Sequence, residues 1–391
     1  YLQRLESGLE DRGFTGRLFV MSSSGGTLTP ETARRFPVRV IESGPAAGAQ
    51  MSASHGRALQ QPRLLSFDMG GTTAKGALIR DGRAIKQYSQ EVARVHGFKA
   101  GSGLPVRAPV IDMIESGAGG GSIANPDVRG AIAVGPASAG ADPGPACYGQ
   151  GGGLATLTDA NLVLGYLDPD FFLGGAMKLD LCAAEAAITE NIAKPLDLTL
   201  ARAAWGIHEV IDEDVARAFR IHASERGFDY RGSAMVAFGG SGPVHAMGVA
   251  GKLGIPRVIF PPSAGVMSAL GLLASPLTFE VARTRQVFVR DLTQGAFADT
   301  FAELEDEARR PLGDDAADTS IIRRLDMRYH GQGHEIEVSL PAKAGVEALA
   351  DLFLQAYRDI HGEALLDAPL VITTWKVEVS APPPDFNALP A

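Results

Sequence analysis

Short apolar runs alternate with longer amphipathic stretches along this chain, a pattern typical of α/β proteins. The runs at 63–68, 235–238 and 257–260 are each followed by glycine or proline, and they predict buried strands. Between them, residues 200–226 carry apolar side chains at helical spacing and predict a long helix. This alternation of strand and helix signals predicts a sheet with helices packed against it.

A β-hairpin is predicted after the first of these strands. A tight turn follows residue 68, a second strand covers 74–80, and Asp81-Gly82 is typical of a hairpin turn before a third strand at 83–88. Glycine dominates the later segment 100–155, which is too apolar and too varied for a linker. We therefore expect ordered loops near a site in that segment.

After residue 276 the pattern becomes more charged and changes in kind. It predicts two helices and several strands, at 285–289, 297–310, 321–329, 334–340, 346–361 and 371–379. Strands and helices in this mixture predict a small C-terminal α+β domain.

Composition narrows the functional classes. The chain has 391 residues, with 36 Lys and Arg against 45 Asp and Glu, so its net charge is −9. This balance argues against nucleic-acid binding, which needs dense basic patches. Its two cysteines cannot form a disulfide framework, and no apolar run reaches the roughly 18 residues of a membrane span. Without a targeting signal, a cytoplasmic location is expected, and the Ala, Arg and Gly usage indicates a bacterial source.

The first candidate for chemistry is the turn after the first strand, Phe67-Asp68-Met69-Gly70-Gly71-Thr72-Thr73. Adjacent glycines let successive backbone N–H groups face one anion. Thr72 and Thr73 would add hydroxyl donors, Lys75 would add a positive charge, and Asp68 would hold Mg²⁺. The segment is not a P-loop, because a strand follows the turn. An ordinary hairpin turn with an Asx hydrogen bond is the alternative.

Two further glycine loops are candidates. Gly239-Gly240-Ser241-Gly242 stands between a predicted strand and a predicted helix, an arrangement common in nucleotide sites. A tight turn without a ligand is the alternative. The run 117–121, with Gly119 and Gly120 at its centre, could hold a substrate or a phosphate, or form a turn beneath a nucleotide.

The roles of three polar residues near these loops remain open. Asp112 and Glu115 precede the run 117–121 and could act as acid–base groups or metal ligands, or as ordinary capping and loop acids. His245 follows the Gly239 loop on the first turn of a predicted helix. Its imidazole could bind a metal or act as a base, and a buried structural histidine is the alternative.

These segments together resemble the hydantoinase A/5-oxoprolinase family, within the superfamily of actin-like and sugar-kinase-like ATPases. The resemblance rests on the order of several short motifs, namely Ser43-Gly44-Pro45-Ala46-Ala47-Gly48, 67–73, 117–124, 135–140, 143–149, Thr158-Asp159-Ala160-Asn161, 238–246 and 261–269. The later Arg328-Tyr329-x-Gly331-Gln332 suggests that the family's C-terminal domain is present as well.

The resemblance implies a ribonuclease-H-like, actin-like core with a mixed sheet and flanking helices. It implies three segments: a remnant of a first lobe with an inter-lobe segment at 1–62, a nucleotide-binding domain at 63–280 and the C-terminal domain at 281–391. It also implies ATP and Mg²⁺ as cofactors, with a further divalent metal allowed, and phosphoryl transfer to the oxygen of a cyclic amide such as hydantoin or 5-oxoproline.

The resemblance also carries roles over to single residues. The first loop (Gly70, Gly71, Thr72, Thr73 and Lys75) matches a phosphate loop, and Gly239, Gly240, Ser241 and Gly242 match an adenosine-side loop. Gly119 and Gly120 complete the expected cofactor contacts. Asp68, Thr72 and Asp112 are the expected catalytic residues, and Asp68 and His245 the expected metal ligands.

Two departures from the family pattern leave alternatives open. Family members carry another Asp-x-Gly-Gly-Thr loop in an N-terminal domain, so a large N-terminal part is expected to be missing here. Many members also have an acidic residue where Lys75 stands, and a lysine there cannot bind a metal. An amidohydrolase with a hydantoinase B-type partner, in a homo-oligomer, is therefore one hypothesis. The ATP-using subunit of an acetone- or acetophenone-type carboxylase and a non-catalytic binding fragment are the others.

Overall fold

The computed structural model describes residues 1–88, 90–92, 103–316 and 318–382. Across these residues the α-helices are α1 Leu2–Glu10, α2 Pro30–Arg35, α3 Ser43–Ala58, α4 Leu157–Val163, α5 Leu181–Ile188, α6 Leu200–Glu225, α7 Gly242–Leu253, α8 Met267–Ala274, α9 Gln294–Arg309 and α10 Leu349–His361. The strands are β1 Val20–Met21, β2 Thr27–Leu28, β3 Arg63–Met69, β4 Ala74–Arg80, β5 Arg83–Ala84, β6 Lys86–Gln87, β7 Gln90–Val92, β8 Leu104–Val106, β9 Val110–Ile111, β10 Met113–Ser116, β11 Ser122–Pro126, β12 Ile132–Ser138, β13 Ala234–Phe238, β14 Arg257–Ile259, β15 Thr278–Phe288, β16 Ser320–Tyr329, β17 Ile336–Leu340 and β18 Leu370–Ser380.

The chain groups into two compact units. One consists of Tyr1–Ala47, Tyr88–Val110 and Leu272–Ala391, and the other of Gly48–Gln87 and Ile111–Gly271. Residues 100–102 of the glycine-rich segment and 383–391 of the C-terminal segment lie outside the described residues. The three-part division into 1–62, 63–280 and 281–391 stays a prediction about domains.

A mixed sheet forms the centre of the second unit. Its strand order is β10-β4-β3-β13-β14, and β5 pairs with the last two residues of β4, Ile79 and Arg80. Strand β13 runs parallel to both β3 and β14, whereas β4 runs antiparallel to β3 and β10. The expectation of an α/β fold with a mixed central sheet is therefore confirmed.

Helices cover both faces of this sheet because side chains alternate along each strand. Phe67 of β3 packs edge-on against Phe219 of α6, with ring centroids 5.6 Å apart. The neighbouring Ser66 points to the other face, where its hydroxyl lies 2.9 Å from that of Ser52 on α3. Both faces of β3 are buried, which explains its continuous apolar sequence.

The C-terminal strands form an antiparallel sheet of their own in the first unit. Its order is β15-β18-β16-β17, and α9 and α10 pack on its apolar face. Trp375 is fully buried there, with ring centroids 5.9 Å from Phe297 and 5.2 Å from Phe301. Antiparallel strands with helices on one face are the arrangement that the C-terminal pattern predicts.

Two details of the sequence-based prediction are wrong. The glycine-rich segment contains β8 to β12 as well as loops, because apolar residues between the glycines pair into short strands such as β11 with β12. The third strand of the hairpin is divided at Ile85, because β5 pairs with β4 whereas β6 pairs with β9. Among the described helices, none combines the length and the apolar character needed to cross a bilayer.

Candidate functional site

Two glycine loops leave the central sheet side by side. Strands β3 and β13 are parallel neighbours in register, with Phe238 opposite Asp68, so both loops begin at the same edge. The N–H of Gly70 donates to Thr73 at 3.1 Å and closes the first loop. The N–H of Ser241 donates to the carbonyl of Met69 at 2.8 Å and joins the second loop to the first. The structure therefore brings together two segments about 170 residues apart in sequence.

The run 117–121 forms a third loop in contact with the first. The N–H of Gly120 donates to Gly70 at 3.0 Å, and the N–H of Gly121 donates to Gly71 at 2.7 Å. At Gly119 a Cβ atom would lie only 2.4 Å from the backbone nitrogen of Thr72. Glycine is required here because backbone packs directly on backbone.

The outer surface of these loops offers backbone donors to solvent. Gly71, Thr72 and Gly240 are exposed. Among the described residues, the backbone N–H groups of these three find no acceptor. Free N–H groups on adjoining, exposed loops are suited to an oxyanion, since each can donate without breaking a hydrogen bond within the protein.

Asp68 lies half-buried at the end of β3, between the two loops. A Cβ on Gly239 would lie 2.5 Å from its Oδ1 atom, so the Gly239 loop passes directly over the carboxylate. Burial raises the pKa of Asp68 to about 6, and Lys75 opposes this shift. A carboxylate at the edge of a solvent-facing loop fits a Mg²⁺ ion that keeps part of its water shell.

Lys75 pairs across the strands with both Asp68 and Glu115. Its Nζ atom lies 3.7 Å from Oε1 of Glu115. Of the two acids weighed before the run 117–121, Glu115 is therefore the one that reaches the residues of the first loop. Lys75 stands between two carboxylates and holds positive charge beside Asp68.

The structure does not bring Asp112 to the loops, contrary to the expected catalytic role. Ser116 of β10 is opposite Ala74 at the loop end of β4, whereas Asp112 precedes Met113, which is opposite Ala77 farther along. Asp112 is buried, and its carboxylate forms an ion pair with Arg226. This ion pair compensates the buried charge of Asp112 and gives its carboxylate a structural role.

His245 contacts Asp212 and Asn161 rather than Asp68, so the two expected metal ligands are not brought together. Its ring is fully buried, with Nδ1 2.7 Å from Oδ1 of Asp212 and Nε2 3.1 Å from Nδ2 of Asn161. Both nitrogens thus have partners inside the second unit. The alternative of a structural histidine matches this placement.

Helix α4 holds the third loop by hydrogen bonds. The sequence did not reveal this contact. The N–H and hydroxyl of Thr158 both lie 2.8 Å from the carbonyl oxygen of Gly120. Asp159 caps the same helix in a capping box with Thr156 and accepts the backbone N–H of Cys147 at 2.8 Å. The motif Thr158-Asp159-Ala160-Asn161 carried the resemblance, but no periodicity or charge pattern distinguished these roles.

A known family matches most of the chain. A sequence profile described as Hydantoinase/oxoprolinase matches residues 1–281. The caprolactamase subunit alpha of Pseudomonas jessenii is 31% identical over 391 residues, covering 97% of this chain and 55% of that protein. The acetophenone carboxylase gamma subunit of Aromatoleum aromaticum is 33% identical, covering 93% of this chain and 50% of that protein. The chain thus spans about half the length of these curated relatives.

Solved structures give the same picture. The crystal structure of the ATP-dependent caprolactamase from Pseudomonas jessenii is similar over 97% of this chain and 55% of that chain, with a TM-score of 0.81 and 30% identity. A nucleotide-free structure of acetone carboxylase, from work on ATP-dependent acetone carboxylation, is similar over 98% of this chain and 55% of that chain. Its TM-score is 0.73 and its identity 28%.

Proposed function

Because the chain belongs to the hydantoinase/oxoprolinase family, we propose that its glycine loops bind the phosphates of ATP for the opening of a cyclic amide, within a larger protein or complex. One observation carries this proposal. The loops that begin at Gly70 and Gly239 leave adjacent parallel strands, with the carboxylate of Asp68 between them. This geometry supports the actin-like core that the resemblance implies, since both loops would face one nucleotide.

The chain's own residues would act mainly by positioning charge. The free N–H groups of Gly71, Thr72 and Gly240 would donate to phosphate oxygens, and the exposed Thr72 hydroxyl would add a further donor. Asp68 would hold Mg²⁺, which when bound neutralises charge on the phosphates. Lys75 would keep Asp68 ionised beside it.

An amide carbonyl is a weak electrophile, and phosphorylation of its oxygen activates it. In the proposed reaction the bond between the γ-phosphorus and ADP breaks while a bond to the amide oxygen forms. Water then adds to the activated carbon and the ring nitrogen leaves, which gives an acyl phosphate. A second water hydrolyses this acyl phosphate, so that ADP, phosphate and the opened amino acid are the products. Fixed donors suit the first step, because phosphoryl transfer depends on orientation and on charge stabilisation.

A carboxylase subunit is the second candidate. The relatives named as carboxylase subunits match this chain about as well as the one named as a caprolactamase subunit. Phosphoryl transfer to an enolate oxygen would need the same phosphate site. In either case we propose that the chain works with a partner subunit of the hydantoinase B type, because these relatives are themselves named as subunits.

Calorimetric titration of the 391-residue chain with Mg-ATP and Mg-ADP tests the phosphate site. We expect micromolar binding that weakens at least about tenfold in Asp68→Asn, as for other residues at a metal site. Asp170→Asn is the matched control, because Asp170 is exposed and forms only a surface ion pair with Lys178. Equal affinity in Asp68→Asn and the wild type would contradict the assignment, and a folded chain that binds no nucleotide would favour a non-catalytic fragment.

Stimulation of ATP hydrolysis distinguishes the two reactions. The full-length protein with its partner subunit is assayed with hydantoin, 5-oxoproline or a lactam, and separately with a ketone plus bicarbonate. Stimulation by the cyclic amides alone supports the amidohydrolase. Stimulation by the ketone with bicarbonate alone would assign the carboxylase instead.

A further inference from the structure

Four buried polar side chains meet behind the glycine loops, in the second unit. Asn161 belongs to α4, His208 and Asp212 to α6, and His245 to α7. Their exposed fractions are 3%, 4%, 1% and 0%, respectively. Polar groups this deep must satisfy one another, because water cannot reach them.

The four side chains form a closed circuit. Asp212 contacts Nδ1 of His245 at 2.7 Å through Oδ1 and Nε2 of His208 at 3.5 Å through Oδ2. Asn161 closes the circuit on the opposite side, with Nδ2 3.1 Å from Nε2 of His245 and Oδ1 2.8 Å from Nδ1 of His208. Each imidazole is therefore held between a carboxylate and an amide.

The circuit fixes the number of ring protons. A carboxylate only accepts, so Nδ1 of His245, at 2.7 Å, must donate to Asp212. Nε2 of His208 lies at an ion-pair distance of 3.5 Å, where a proton is favoured over a lone pair that would face the carboxylate. An amide offers one acceptor and one donor, so one nitrogen facing Asn161 donates and the other accepts. Three N–H protons on two imidazoles mean one imidazolium and one neutral ring, whichever way the amide is turned. With the carboxylate of Asp212, the buried group is neutral overall.

The charge belongs on His208. Asn161 presents its amide nitrogen to Nε2 of His245, which must then accept and leave that ring neutral. Burial, opposed by Asp212, lowers the pKa of His245 in agreement with this. Burial raises the pKa of Asp212, but hydrogen bonds from His208 and His245 outweigh it and hold the pKa below its ordinary value.

Aromatic rings around His208 favour a cation there independently. Tyr166 and Trp205 stack on its ring, with centroids 5.0 Å and 5.6 Å away and interplanar angles of 20° and 21°. Such distances are within the roughly 6 Å at which a cation is attracted to an aromatic face. The neutral ring of His245 stacks nearby, at 4.5 Å.

A metal ion fits these residues less well than protons do. One ligand atom each from His208, Asp212 and His245 lies within 4.8 Å of the others, close enough for a shared ion. Each ligating imidazole would then carry its proton on the nitrogen facing Asn161. Asn161 has only one acceptor for those two protons, so its amide nitrogen would face an N–H group.

The circuit also connects the helices that support the loops. His245 is on the first turn of α7, directly after the Gly239 loop, and Asn161 is one turn after Thr158, which holds Gly120. At Gly248 a Cβ would lie 1.9 Å from Oδ2 of Asp212, so the glycine allows α7 to approach α6 closely. We propose that Asn161, His208, Asp212 and His245 form a metal-free, charged hydrogen-bond ring that positions two of the glycine loops. The positioning role rests on the proposed function, whereas the proton count does not.

Nitrogen-15 NMR of histidine-labelled 391-residue chain tests the proton count. At pH 8 we expect one ring of the pair to carry two protons and the other one. Asp212→Asn exchanges an acceptor for a donor and should leave two neutral rings, whereas Asn161→Asp should give two imidazolium rings. Two neutral rings in the wild type would overturn the proposal. So would one equivalent of bound metal, measured by elemental analysis, whose removal by a chelator shifts these signals.

Titration with Mg-ATP tests the positioning role. We expect Asp212→Ala to weaken binding about tenfold, the size typical of residues that act through others. Asp212→Asn should restore most of the loss, because it keeps the shape of the side chain and offers each histidine a hydrogen-bonding group. Asp214→Ala on the same helix is the control, because Asp214 is partly exposed and forms a surface ion pair with Arg217. Wild-type affinity in folded Asp212→Ala would refute the positioning role, and a wild-type chain without nucleotide binding would refute the proposed function while the NMR result stands.

Discussion

At the scale of single residues, Asp68 is subject to two opposing influences. Burial disfavours its charged form, and Lys75 favours it, with a resulting pKa of about 6. A carboxyl group whose pKa is higher in the folded than in the unfolded state stabilises the fold fully only below its unfolded value. That stability is lost as the pH rises through about 6.

Asp68→Asn should therefore make the chain more stable while it removes the proposed Mg²⁺ ligand. Two pKa units correspond to roughly 3 kcal/mol, and partial solvation reduces this to an expected gain of about 1–2 kcal/mol at pH 8. Urea unfolding at pH 8 and pH 4 measures the effect, which should almost vanish at pH 4. A loss of stability at pH 8, or a gain equal to that of Asp170→Asn, would contradict the buried charge.

Gly239 and Gly240 are adjacent but differ sharply in their surroundings. Gly239 has a φ of +85°, and a Cβ there would lie 2.5 Å from both Asp68 and the carbonyl of Met69, whereas a Cβ on Gly240 would meet nothing within 4 Å. We expect Gly239→Ala to lower the free energy of unfolding by about 2–4 kcal/mol. Gly240→Ala should change it by less than about 1 kcal/mol. Chemical denaturation of both variants checks this difference, which equal values would disprove.

At the scale of elements, an aspartate caps the start of both α4 and α5, but at different positions and in different surroundings. Asp159 is the third residue of α4, in a capping box, whereas Asp180 is the N-cap residue of α5. Asp159 near the start of α4 is buried and accepts hydrogen bonds from Thr156, Ala146 and Cys147. Asp180 at the start of α5 is exposed and accepts one, from Ala183. The buried acid therefore holds a loop as well as a helix.

Removing the two caps should have unequal effects. Asp159→Ala leaves buried N–H groups without acceptors, and we expect a loss of about 3–5 kcal/mol. Asp180→Ala removes an exposed cap and should lose about 1 kcal/mol. Thermal and urea unfolding of the pair provide the comparison. Similar losses in both would indicate that the loop at 146–147 does not depend on Asp159.

The elements themselves were largely predictable, because local patterns determine them. Asp81-Gly82 marked the hairpin, and the apolar run before Asp68 marked a strand buried on both faces. The ring of Asn161, His208, Asp212 and His245 was not predictable. It joins three helices, and only His208 and Asp212 are close in sequence. A single polar residue on a helix looks the same whether it faces solvent or a buried partner.

At the scale of the whole molecule, a net charge of −9 works against the binding of an anionic nucleotide. The proposed phosphate donors are mostly backbone N–H groups rather than lysines or arginines. Added salt should therefore screen long-range repulsion without breaking contact ion pairs. We expect the Kd for Mg-ATP to change by less than about threefold between 50 and 300 mM salt. Titrations across this range check it, and a tenfold weakening would indicate basic side chains as the main contacts.

Order along the chain allowed the family and the mixed sheet to be predicted, but not the contents of the site. Asp112 was expected to be catalytic and His245 to bind a metal, because each stands next to a glycine loop in sequence. Strand register moves Asp112 toward the far end of β4, and helix rotation turns His245 into the interior. Closeness in sequence therefore does not determine which way a side chain points, and only the folded structure shows this.

The direct contact of Gly119 with the backbone of Thr72 has a consequence for divergence among relatives. A surface formed by backbone atoms keeps its shape when neighbouring side chains are mutated, so such mutations can accumulate without altering it. Proteins named for lactam opening and for ketone carboxylation can then share one such surface while their substrates diverge elsewhere. The loops would record common descent, and the identity of the substrate would be encoded in surfaces that are free to vary.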